Sequence, residues 1–155
     1  MAQYNTSENP QAARLLVAPG ETDSNMLWAT GMFTPDPFIF FMHGRKKYVV
    51  MTDLEFDRAR VQATVDVVLK QSEYVRRVQK RGIGFPRTAE VLAEVLTEFR
   101  IRSVLVPANF PTGLADSLRS ARFKVHVKPD PFWPKREIKS EGEIRSISKS
   151  LRIAE

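Results

Sequence analysis

The spacing of hydrophobic residues changes several times along this chain, and each change marks an element. Arg14 to Ala18 is a short apolar run that stops at Pro19-Gly20, which predicts a strand and a turn. Asn25-Met26-Leu27-Trp28-Ala29-Thr30-Gly31 predicts one or two helical turns, capped by Asn25 and closed by Gly31. Thr34-Pro35-Asp36-Pro37 stays extended, because each proline disfavours helical backbone at the residue before it. Phe38 to Met42 and Tyr48 to Met51 flank His43-Gly44-Arg45-Lys46 and predict a β-hairpin. Both runs are apolar on successive residues, so both faces of the hairpin should be covered.

Further along, Thr52-Asp53-Leu54-Glu55 has the form of a capping box and predicts a helix to about Val61. Val65 to Leu69 predicts a strand, and Glu73 to Lys80 a short helix ending near Gly82. Ala89, Leu92, Val95, Leu96 and Phe99 share one helical face; Val104 to Val106 is a buried strand; Leu114, Leu118 and Ala121 mark another helix. Phe123, Val125 and Val127 alternate with Lys124, His126 and Lys128, a strand with one wet face and hence close to a sheet edge. A hairpin followed by alternating helices and strands implies an α/β fold, with a mixed sheet and helices on both sides.

Asp130-Pro131-Phe132-Trp133-Pro134 predicts a stiff linker and the best domain boundary. Beyond it, Ser140 and Glu143 form a second capping box, and Ile144, Ile147, Leu151 and Ala154 make an apolar stripe. No stop signal closes that helix before Glu155, and its stripe needs a surface to cover it. The expected organisation is a tail over residues 1–12, an α/β domain over 13–129, and a linker and helix over 130–155 leading into a further domain.

A chain of 155 residues can bury a core without disulfide or metal staples. The absence of cysteine excludes disulfides, thiolate metal sites and a cysteine nucleophile, and fits a reducing cytoplasm. Met1 to Gln11 lacks the apolar core of a secretory leader, and Phe38 to Met42 falls far short of the ~20 residues that span a bilayer. The expectation is a cytoplasmic protein with no membrane partner. A net charge of +6 raises nucleic acid as a partner. Lys70, Arg76, Arg77, Lys80, Arg81 and Arg87 cluster, but Glu73 interrupts them on an expected helix, which favours a solvated helix face. A basic nucleic-acid-binding α/β domain is the alternative reading; the main one has no nucleic acid.

Candidate chemistry is sparse. No second histidine stands three or four residues from His43 or His126, and Gly82 with Gly84 falls short of a phosphate loop. Asp36, Asp53, Asp57 and Asp66 would make a nuclease metal site only by converging, and Asp53 and Asp57 are explained by helix initiation. No catalytic residue and no metal ligand is assigned, so the chain by itself is not expected to be an enzyme. What remains is an apolar rim with one carboxylate: Trp28, Met32 and Phe33 beside the rigid segment that carries Asp36. Such a rim either packs over the end of the sheet or meets a partner subunit or substrate.

Three stretches resemble the amino-terminal domain of the creatinase, prolidase and aminopeptidase P family. Asn25 to Gly31 is similar to an Asn-x-x-Tyr-x-Thr-Gly-Phe signature, with Trp28 and Met32 in place of its aromatic residues. Pro35-Asp36-Pro37-Phe38, the hairpin, Asp53-Leu54-Glu55 and Arg58-Ala59 follow in the family's order. Arg136-Glu137-Ile138-Lys139-Ser140 with Glu143-Ile144 is similar to the junction that leads into the catalytic domain. The resemblance implies a three-layer α/β/α domain with a mixed, roughly six-stranded sheet, like ribonuclease H in shape only. It also implies that catalysis belongs to a carboxyl-terminal pita-bread domain binding two divalent metals (Mn, Zn or Co) through two aspartates, a histidine and two glutamates. The partners it implies are that domain and a second copy in a homodimer. The amino-terminal part then controls access to a cleft cutting Xaa-Pro peptides or creatine-like substrates, with Trp28, Met32, Phe33 and Asp36 in the rim and partner-subunit loop.

Overall fold

A computed structural model describes residues 12–154; all of the expected tail except Ala12 lies outside them. In chain order the elements are β1 (Ala13–Pro19), α1 (Ser24–Thr30), β2 (Pro37–His43), β3 (Lys46–Met51), α2 (Asp53–Gln62) and β4 (Val67–Lys70). Then come α3 (Gln71–Lys80), α4 (Thr88–Glu98), β5 (Ser103–Pro107), α5 (Thr112–Ser120), β6 (Lys124–Lys128), a 3-10 turn (Pro134–Glu137) and α6 (Glu141–Ala154). The six strands form one mixed sheet in the order β4-β3-β2-β1-β5-β6. β1 is central: it runs antiparallel to β2, Leu16 facing Phe40, and parallel to β5, Ala13 facing Val104. The hairpin forms as expected, and β6 lies at an edge.

Alternation along β1 and β2 sorts residues onto the two faces of the sheet. Leu15, Ile39 and Phe41 join Tyr74, Leu92, Leu96 and Leu118 from α3, α4 and α5 in one core. Leu16, Phe38 and Phe40 join Met26, Ala29 and Ala59 from α1 and α2 in the other. Both faces of the hairpin are therefore covered, and the result is three layers, α/β/α.

Four local expectations change. Asp23, not Asn25, caps α1: its Oδ1 accepts from the Met26 amide at 2.7 Å, while Asn25 is buried inside the helix. At α2 the capping box does not form: the Glu55 amide donates to the Thr52 carbonyl at 3.1 Å rather than to its side chain, and the Glu55 carboxylate turns to Arg58, Oε2 to Nη1 2.9 Å. The first turn of α2 carries Asp53 and Glu55 and leaves Asp57 outside it. β4 starts at Val67; at Asp66 the amide still donates to Lys47 O at 2.9 Å, while the Lys47 amide goes to the Asp66 carboxylate at 2.7 Å.

The largest change is at Phe132 and Trp133. Expected in a linker, both are buried in the α1–α2 core, Trp133 edge-on to Phe40 with centroids 6.1 Å apart. The cause lies on β1. Arg14 points to this same face, donates from Nη1 to the Phe132 carbonyl at 2.7 Å, and sets its Cζ 4.9 Å from the Trp133 ring centroid. A cation over an indole shielded from water is a strong local anchor.

The capping box of α6 forms as the sequence indicates. Glu143 Oε2 accepts from the Ser140 amide at 2.7 Å and from its hydroxyl at 2.8 Å, while Ser140 Oγ accepts from the Glu143 amide at 3.3 Å. Those bonds from Ser140 hold the Glu143 carboxyl below its usual value of 4.5. A depressed acid stabilises the cap above its ordinary pKa and loses it as pH falls through the lower, folded value. Protection of the first-turn amides of α6 against exchange, taken relative to the unfolded rate at each pH, is therefore expected to fall on acidification below about pH 4, and Glu143→Gln, which removes the titrating carboxyl, should abolish that dependence.

Candidate functional site

The loop of residues 31–37 carries three of the four candidate rim residues. Gly31 closes α1 in a left-handed conformation, φ 67°, its amide donating to Leu27 O at 2.7 Å, and this turns the chain away from the helix. Thr30 Oγ1 donates back to Met26 O at 2.8 Å and accepts from the Met32 amide at 3.2 Å. The Glu21 amide donates to Thr34 O at 3.0 Å, and Thr34 Oγ1 donates to Asp36 O at 3.2 Å. Gly20 permits this approach: a Cβ there would stand 1.9 Å from Met32 O.

Arg58 fixes the outer side of the loop. Its Nη2 donates to Phe33 O at 2.6 Å, Nη1 to Glu55 Oε2 at 2.9 Å and Nε to Gln62 Oε1 at 2.9 Å. Bonds from a fixed guanidinium fork orient a partner more strictly than a point charge does. The extended segment then alternates. Met32 and Thr34 face inward and are buried, whereas Phe33, 57% exposed, and Asp36 face water. Met32 is thus a core residue rather than a rim residue: α1 and the sheet leave an apolar slot under the loop that it fills.

Trp28 is not on that loop. It is half-buried, tilted against Trp133 at 5.5 Å between centroids, with Lys47 Nζ 5.9 Å from its ring and bonded to Ala29 O at 3.2 Å. It lines a separate open groove of about 780 Å³ between α1 and the start of α6, together with Leu27, Arg136, Lys139, Ser140 and Ile147. Arg136 Nη1 donates to Asn25 Oδ1 at 2.8 Å, which ties the 3-10 turn to α1. Ile144, Ile147 and Leu151 are exposed along α6.

The scattered aspartates do not converge. Asp53 accepts from Ser72 Oγ at 2.7 Å, and Asp66 serves the Lys47 amide. Among the described residues no three His, Cys, Asp or Glu side chains lie where they could hold a metal ion, so the metal pair implied by the resemblance finds no donor set in them. His43 and His126 are both exposed. In the basic cluster Arg77 pairs with Glu98, Arg81 with Glu94 at 2.7 Å, and Arg87 with Glu90 at 3.1 Å. Half of the six cations are thus matched by carboxylates of α4. Among the described residues no helix is long and apolar enough to cross a membrane.

Arg58 and Arg136 are the positioning residues that periodicity overlooked. Arg58 was signalled by carboxylate and amide partners three and four residues away, Glu55 and Gln62. Arg136 was signalled only by its place in the junction stretch.

No family model matches the sequence, and no curated protein matches it either. Solved structures do. The prolidase from Pyrococcus horikoshii superposes with a TM-score of 0.67 at 21% identity, over 94% of this chain and 36% of that one. The prolidase from Pyrococcus furiosus gives 0.65 at 17%, over 95% and 37%. The X-Pro aminopeptidase from Thermotoga maritima gives 0.68 at 16%, over 92% and 38%. The chain therefore has the fold found in a part of those proteins, and it spans little more than a third of their length. The resemblance read from the three sequence stretches leads to the same group of proteins.

Proposed function

We propose that this chain is the non-catalytic amino-terminal domain of a proline-specific metallopeptidase or a creatinase-like hydrolase, controlling access to a reaction centre built by a carboxyl-terminal domain. The observation that carries the reading is the 31–37 loop. It is held by backbone bonds at Glu21 and by the Arg58 fork, yet it presents Phe33 and Asp36 to water. Rigid support beneath an exposed aromatic ring suits a contact made to another surface. Phe33 would pack on a proline ring, and Asp36 would receive a substrate amino terminus or a partner arginine. The exposed Ile144, Ile147 and Leu151 of α6 would lie against the catalytic domain, which would hold the two divalent metals. A cytoplasmic homodimer completes this reading.

The test is kinetic. In the intact polypeptide joined to its catalytic domain, Phe33→Ala should raise KM for Xaa-Pro substrates about tenfold with kcat nearly unchanged, as expected when packing is lost equally from ground and transition states. Unchanged KM and kcat would remove the loop from the substrate path.

A further inference from the structure

The carboxyl ends of β1 and β5 open onto a hollow of about 530 Å³. The two strands are adjacent and parallel, yet the chain leaves them towards opposite faces of the sheet. α1, which follows β1, gives Met26 and Ala29 to one core, and α5, which follows β5, gives Ala115 and Leu118 to the other. Such a divergence makes a crevice at the strand ends, where open α/β sheets take small ligands. Its volume is that of an ordinary ligand pocket. Asp23 and Asn109, 86 residues apart in sequence, meet there, Asn109 Nδ2 donating to Asp23 Oδ2 at 2.9 Å. The other Asp23 oxygen accepts from the Met26 amide at 2.7 Å. Both donors are neutral, so neither cancels the charge of a carboxylate that is only 9% exposed. Among the described residues no lysine, arginine or histidine lines the hollow, although the chain as a whole carries +6.

We propose that this hollow binds a small organic cation, a primary aliphatic ammonium, with Asp23 as its counter-charge. The polar groups around it suit three N–H donors. Because its amide nitrogen is given to Asp23, Asn109 keeps Oδ1 as an acceptor, and Thr22 and Thr88 add two hydroxyls. Val17 and Leu114 supply an apolar wall for the alkyl part. A divalent metal is a poor fit, since hard cations collect several carboxylate or carbonyl oxygens and Asp23 is the one carboxylate in the lining. Pro37, another wall, ends the 31–37 loop, so an occupant touches the segment that presents Phe33 and Asp36. The inference does not rest on the gating role: binding is read on this chain alone, and its failure would leave that role untouched.

Titration of residues 1–155 with n-butylammonium at about pH 7, where an alkylamine is protonated, tests it through amide NMR shifts. Saturable shifts centred on Asp23, Asn109 and Leu114, with a Kd of about 1–10 mM, are expected. The uncharged n-butanol should show no saturation up to about 50 mM. Asp23→Asn retains a capping side chain for α1 and removes the charge, so it should weaken binding at least about tenfold. Thr22→Trp changes an exposed position at the mouth of the hollow and should block binding while circular dichroism stays unchanged. A wild-type chain that does not saturate overturns the proposal. So does an equal response to n-butanol, or undiminished affinity in either variant.

Discussion

Phe132→Ala is expected to lower the unfolding free energy by about 3–5 kcal/mol, the range for deleting a fully buried aromatic side chain. Phe132 is 0% exposed and stands edge-on to Trp133, centroids 5.0 Å apart. The truncation would open a void between α1 and the sheet and loosen the bond from Arg14 to the Phe132 carbonyl. Neighbouring rings cannot collapse into the space, because Trp133 is already wedged between Phe40 and Trp28. Urea unfolding followed by tryptophan fluorescence measures the effect directly. A loss below about 0.5 kcal/mol, typical of surface positions, would mean that residues 130–134 behave as a linker.

Gly20→Ala should be the most damaging small substitution near the loop, costing about 3 kcal/mol. A Cβ at this position meets Met32 O at 1.9 Å and Met32 C at 3.0 Å, and both are backbone atoms that no rotamer change can move aside. Relief requires the loop to lift, which would stretch the Glu21 amide bond to Thr34 O and draw Met32 out of its slot. Stability and loop position are therefore coupled at one residue. Thermal unfolding reports the first, and amide exchange at Glu21 the second. An unperturbed Tm together with unchanged protection would contradict the close approach.

Much of the architecture was legible because it rests on local signals. The hairpin was marked by apolar runs around Gly44, the amphipathic α4 by its spacing, the edge strand β6 by alternation, and α6 by the Ser140–Glu143 box. Strand order was not legible in the same way, since the parallel pairing of β1 with β5 joins segments about ninety residues apart; it followed only coarsely, from the alternation of helices and strands. The largest misreading had a distant cause: a partner far off in sequence outweighed the local pattern. Phe132 and Trp133 sit in a proline-rich stretch that reads as a linker until Arg14 and Phe40 are set beside them. Met32 reads as rim next to Phe33, and only the inward and outward alternation of the folded loop separates the two. Asn25 has the residue type of a cap, but Asp23 reaches the Met26 amide first, and Asn25 is left to receive Arg136 from the far end of the chain.

Of the candidate rim, Phe33 and Asp36 were picked by the place of their loop in the resemblance; both are exposed, but so are Pro35 and Pro37, so alternation alone would not have singled them out. Trp28 was readable as an aromatic contact but not as part of the groove beside α6, which only the folded position of Arg136 creates.

The account stands on a division of labour: these residues shape and present a surface, and bond cleavage takes place elsewhere. The most direct measurement incubates purified residues 1–155 with Xaa-Pro dipeptides and Mn²⁺, Zn²⁺ or Co²⁺, following proline release alongside calorimetric metal binding. No turnover and no stoichiometric metal uptake is the predicted result. Proline release, or a divalent ion bound one-to-one within this chain, would contradict it.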